Sequence, residues 1–187
     1  ALLKKLEPLE QASFPRQVAG CFDYDSHWAL RIKPVNDPAF HYVEYCGKLY
    51  NYLEQVGVTA DVTALKGDWS AYKVVVIPAA IVMTRATQEK IRRFVEQGGT
   101  VVATFLTSVK NEDNVGYTVS LPAGLTDVFG SVVEEVEPVF PENHTRLRMN
   151  VESYEALCHM DETEDNVQET VDGLWSELLG GVSETLG

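Results

Sequence analysis

The chain has 187 residues, 45% of them apolar, and a formal charge of −13, which suits a single domain with an ordinary core. The charge is uneven: residues 1–110 carry 13 Lys+Arg against 11 Asp+Glu, and residues 111–187 carry 2 against 17. So acidic a second half argues against nucleic acid, whose phosphates need cationic side chains to displace counterions. No stretch approaches the roughly 20 apolar residues that span a bilayer, and "ALLKKLEPLE" at the start lacks the apolar core of a secretory signal. A cytoplasmic protein with no membrane partner is expected.

In chain order, "QVAGCFDY" (17–24) has the short, apolar character of a buried strand. "AFHYVEYCGKLYNYLEQVG" (39–57) follows, with Tyr42, Cys46, Leu49, Tyr50 and Leu53 at helical spacing, Pro38 at its start and Gly57 at its stop. A second strand is read in "VTADVTAL" (58–65). The third, "YKVVVIPAAIV" (72–82), is apolar enough for a central parallel strand covered on both faces. "TQEKIRRFVEQGG" (87–99) reads as a helix with Ile91, Phe94 and Val95 on one face, a Thr at its head and two glycines after its last turn. It leads into a fourth strand, "TVVATFL" (100–106). Strands alternating with helices in this way predict an α/β domain built on an open, mainly parallel sheet.

Beyond residue 107 the pattern changes. Residues 108–117 read as a loop, 120–130 as a short helical connection and "SVVEEVEPVF" (131–140) as an alternating strand. Residues 141–160 suggest a hairpin, and "DETEDN" (161–166) an acidic loop. "VQETVDGLWSELLG" (167–180) is apolar at Val171, Leu174, Trp175, Leu178 and Leu179, mostly at helical spacing, which reads as a helix against which Gly173 weighs.

Candidate chemistry is sparse. Ligands of open α/β sheets gather at the carboxyl ends of strands, yet Thr107 and Ser108 lack the flanking glycines of a nucleophile elbow. Their potential bases, His144 and His159, lie far away in sequence. Glycoside cleavage needs two carboxyl groups on one bond. Glu134 and Glu135 point to opposite faces of a strand, and Glu135 and Glu137 share a face with no sign of a cleft. His27, His41, His144 and His159 form no pair on one helical turn, and Cys21, Cys46 and Cys158 form neither a disulfide framework nor a zinc knuckle. No catalytic residue, metal ligand or cofactor site is therefore assigned, and the cysteines read as reduced, packed thiols.

One cluster stands apart. In "GCFDYDSHWAL" (20–30), Asp23, Tyr24, Asp25 and Trp28 crowd the end of the first strand. Three readings are open: a sugar platform with Trp28 stacked on a ring, a protein interface anchored by Trp28, or a loop whose aspartates accept backbone N–H bonds while Trp28 packs on the core.

"VAGCFDYDSHWAL" resembles the segment that opens the trimerisation domain of glycoside hydrolase family 42 β-galactosidases, and the likeness continues in order. "YCGKLYNYLEQVGVTADV", "YKVVVIPAAIVM", "FVEQGGTVVATFLTSVKNEDN", "LPAGLTDVFGSVVEEVEP" and "LWSELL" resemble successive family segments, so that it covers roughly residues 14–180. His27 departs from it, standing where many relatives have an aromatic residue. The resemblance implies a flavodoxin-like, class I glutamine amidotransferase-like three-layer sandwich that follows a catalytic barrel. Residues 1–13 would connect the two, and 14–187 would form the domain, excised before its last strand. It further implies a homotrimeric parent that hydrolyses terminal β-D-galactosides with retention. The catalytic glutamates and zinc cysteines lie on the barrel, which is absent here together with the galactoside site, so the domain itself would be non-catalytic and without cofactor. Asp23, Tyr24, Asp25 and Trp28 are then the candidate interface. The competing expectations are a stand-alone sugar-binding module and an amidotransferase-like hydrolase.

Overall fold

The computed structural model describes residues 16–34, 40–138, 146–148, 167–169 and 175–181. Four parallel strands, β1 (Val18–Phe22), β2 (Ala60–Ala64), β3 (Val74–Ile77) and β4 (Thr100–Ala103), form one sheet in the order β2-β1-β3-β4. That is the order in which the first four strands of a flavodoxin-like sheet are laid down.

Among the described residues four helices accompany them: α1 (Tyr24–Ile32), α2 (Tyr42–Gln55), α3 (Arg85–Glu96) and the short α4 (Thr126–Phe129). Strand alternation sends side chains to both sheet faces, and each face has its own core. On one, Cys21, Val75 and Ile77 meet Ile91 of α3, with Phe94, Val128 and Phe129 packed alongside. On the other, Ala29 and Leu30 of α1 and Tyr42 of α2 meet Ile81, Val82 and Leu106, with Phe22 and Val136 alongside. The molecule is the three-layer α/β sandwich expected from the sequence.

Local signals account for most boundaries. Thr84 caps α3, its hydroxyl accepting from the Thr87 N–H at 3.1 Å, so the helix starts two residues before the expected Thr87. At its far end Gly98 takes φ +90°, and a Cβ on Gly99 would lie 2.3 Å from the Phe94 ring. The third strand ends at Ile77, well short of residue 82, because Pro78 has no N–H to give a neighbouring strand. Residues 79–83 remain buried and fill both cores in irregular form. Lys90 of α3 donates to the Leu65 and Gly67 carbonyls at 2.9 and 2.5 Å, with its ammonium 3.4 Å from the Trp69 ring centre. Burial pushes that ammonium down to about 8.

Further expectations are corrected. Residues 24–32 form the helix α1 and not a loop, so two helices separate the first two strands. The helix expected over 167–180 is instead two strands, β7 (Val167–Glu169) and β8 (Trp175–Gly180), the latter antiparallel to β5 (Val132–Pro138). The long alternating β5 supplies β8 with a ladder of hydrogen bonds, which outweighs the helical spacing of its leucines. β6 (Arg146–Arg148) pairs with β7, not within 141–160. The rest of the expected hairpin, the acidic loop 161–166 and the leading segment 1–13 lie outside the described residues.

Candidate functional site

The cluster at the end of β1 is a short, firmly seated helix. Asp23, 6% exposed, caps α1 by accepting from the Ser26 N–H at 2.8 Å, and its own N–H donates to the Tyr42 hydroxyl at 3.2 Å. Ser26, fully buried, accepts from the Val82 N–H at 3.1 Å and so ties α1 to the chain beyond β3. Ala29 and Leu30 complete the inward face. His27 lies partly buried beside Phe22, Tyr42 and Trp28, its ring centre 5.1 Å from that of Trp28.

The opposite face of α1 is also apolar. Tyr24, Trp28 and Ile32 stand one turn apart and are 67%, 50% and 76% exposed. A helix apolar on two sides is ordinarily covered on both. Around this stripe Asp25 pairs with Lys66 at 2.5 Å, both half exposed, and the Arg31 guanidinium sits 5.7 Å from the Trp28 ring centre. Of the four residues singled out in the sequence, Tyr24 and Trp28 thus point outward, Asp25 lies in a surface ion pair, and Asp23 is buried in the cap. Ile32 was missed, although its i, i+4, i+8 spacing with Tyr24 and Trp28 was visible once a helix is granted.

The candidates for chemistry are dispersed. Ser108 has φ +56°, as an elbow residue would, but it is fully buried. Its hydroxyl donates to the Ala123 carbonyl at 2.8 Å and accepts from Gln88 Nε2 at 3.1 Å. His144 and His159, its potential bases, lie outside the described residues, as does Cys158. Burial pushes the Cys21 thiol up to about 12 and that of Cys46 up to about 11, which keeps both protonated. On β5, Glu134, Glu135 and Glu137 are exposed, and the ladder slips between Val133 and Glu135. His41 is exposed at the head of α2. Among the described residues no three His, Cys, Asp or Glu come together to hold a metal, and no helix is long and apolar enough to cross a membrane.

A second carboxylate withdrawn from solvent is that of Glu177 on β8, which is partly buried. Its Oε1 accepts from the Leu106 N–H at 2.6 Å, and burial pushes the carboxyl above the usual glutamate range while that hydrogen bond pulls against it. The bond clips the β5–β8 ribbon to the segment following β4, where Leu106 itself takes φ +58°. Its role is structural.

Comparison with known proteins identifies the family. Residues 16–176 match the family described as the β-galactosidase trimerisation domain. The chain belongs to that family. Among solved structures, this trimerisation domain is similar to part of a β-galactosidase from Bacillus circulans sp. alkalophilus, with TM-score 0.82 and 26% identity over 98% of this chain and 26% of that one. It is also similar to a β-galactosidase from Halorubrum lacusprofundi, with TM-score 0.77 and 28% identity over 95% of this chain and 24% of that one. A curated β-galactosidase of Clostridium perfringens is 30% identical over 145 residues, which is 76% of this chain and 21% of the relative. The chain spans about a fifth of the length of the curated relatives it matches.

Proposed function

We propose that this trimerisation domain holds together three copies of the polypeptide that carries it, and that this polypeptide is a β-galactosidase whose chemistry is done on a preceding barrel. The observation that carries the reading is the family match over residues 16–176, which takes in both cores of the sandwich. The sealed hydroxyl of Ser108 and the protonated thiols of Cys21 and Cys46 support a role in assembly over one in catalysis. Residues 1–13 would link barrel to domain, terminal β-D-galactosides would bind on the barrel, and the unpaired thiols suit the cytoplasm.

Light scattering on the full-length polypeptide tests the assembly: the reading expects the mass of three copies, and a mass of one copy contradicts it. A chromogenic β-galactoside tests the division of labour. It should be cleaved by the full-length polypeptide and left intact by the 187-residue chain; cleavage by the chain alone contradicts the reading.

A further inference from the structure

A ring of three identical subunits cannot be closed with one self-complementary patch; each copy must present two different patches, one fitting the other on its neighbour. Resting on the assembly reading above, the question is which two patches of this chain are complementary.

The stripe on α1 is the first. Its three large side chains are held out by a helix whose other face is fixed by the Asp23 cap, the Ser26–Val82 bond and the burial of Ala29 and Leu30. Such a stripe is preorganised, so that docking orders no new backbone. Its surroundings carry a cationic excess. Arg31 and Lys33 are exposed at its end, Lys110 is close enough to Lys33 for the two charges to repel, and Lys66 is matched by Asp25 with Asp23 and Glu112 nearby.

The second patch lies on the β5–β8 ribbon. Cross-strand partners share a face. Val136 and its partner Glu177 face inward, Val136 against the α1–α2 core and Glu177 onto the Leu106 N–H. The other face therefore carries Glu135, its partner Leu178, and Glu137 two residues on. Leu178 is 57% exposed and both glutamates are exposed. An apolar centre flanked by carboxylates is the charge complement of an apolar stripe flanked by cations.

We infer that in the trimer Tyr24, Trp28 and Ile32 of one copy pack against Leu178 of the next, with Arg31 and Lys33 facing the partner's Glu135 and the partner's Glu137. Trp28, rigid and under its own arginine, is the anchor of this contact, and the charges fix its register. The occupant of the stripe is a second copy of this chain and not another part of the same polypeptide.

The test measures association of the full-length polypeptide by sedimentation equilibrium, with thermal unfolding as the check on folding. All substituted residues are exposed, so the subunits should stay folded. Trp28→Glu should weaken association at least tenfold, about what the loss of one buried anchor produces. Arg31→Glu with Lys33→Glu should weaken it, and so should Glu135→Lys with Glu137→Lys. All four reversals together should restore association to within about threefold of the wild type, since the pairing is re-formed with inverted sign. A wild type that is not a trimer overturns the assembly reading itself. A trimer that survives Trp28→Glu leaves assembly standing and overturns the α1 contact. Weakening by both double reversals without rescue by the four together overturns the pairing of α1 with the ribbon.

Discussion

Asp23 shows how a residue that looks catalytic can be structural. Its carboxylate accepts the Ser26 N–H at 2.8 Å and is buried by the turn it starts. Asp23→Ala should cost about 1 kcal/mol, up to about 2, by urea denaturation, whereas Asp23→Asn, which keeps a side-chain oxygen, should cost a fraction of that. Equal losses in the two would mean that the cap is not what Asp23 provides. The sequence allowed this role for Asp23, since an aspartate at the end of a strand is a common N-cap, but it placed the cap on a loop and not a helix. Glu177 could not have been read in advance. Its contact with the Leu106 N–H joins residues 71 apart, and no local pattern carries such a pairing. The folded protein holds the Glu177 proton more tightly than the unfolded chain does. This carboxyl thus favours folding below the ordinary glutamate range, and that contribution is lost as pH climbs through its raised value. Glu177→Gln retains an oxygen for Leu106 without a charge to bury. It should raise the unfolding temperature at neutral pH, with the difference closing toward about pH 4. A lower midpoint at neutral pH would show that the charged hydrogen bond outweighs the burial of the charge.

At the scale of elements, legibility followed periodicity. α2 and α3 and the four parallel strands were plain because their apolar residues repeat with the period of one conformation. α1 was hidden because polar residues crowd its first turn and its apolar residues fall on two faces, with Ala29 and Leu30 inside and Tyr24, Trp28 and Ile32 outside. That same double-sidedness leaves the apolar stripe exposed on which the proposed subunit contact rests. β8 was misread because Leu178 and Leu179 fit a helix as readily as a strand, and only the presence of β5 decides between them. The α3 face behaves as an ordinary core. Ile91 is fully buried there against Leu65, Val75 and Ile77. Ile91→Ala should cost about 2–5 kcal/mol in chemical denaturation. A loss below about 1 kcal/mol would mean that this core collapses around the vacancy or is loosely packed.

For the molecule as a whole, composition and strand order sufficed for the fold class, since alternating strands and helices leave few topologies open. Its use was legible only through resemblance. The surface that the assembly needs depends on which helix face stays uncovered and on how the acidic second half folds back beside the sheet. The charge asymmetry visible in the sequence gains meaning from that placement: Arg31, Lys33, Lys66 and Lys110 of the first half lie around α1, and Glu135 and Glu137 of the second flank Leu178. A domain whose surface is divided in this way suits a ring of identical subunits, each contact joining unlike patches.

The central claim, that this domain exists to assemble the polypeptide carrying it, is tested most directly by native mass spectrometry of that polypeptide with and without residues 16–181. The account predicts three copies for the intact polypeptide and single copies once the domain is removed; a trimer that persists without it would contradict the claim.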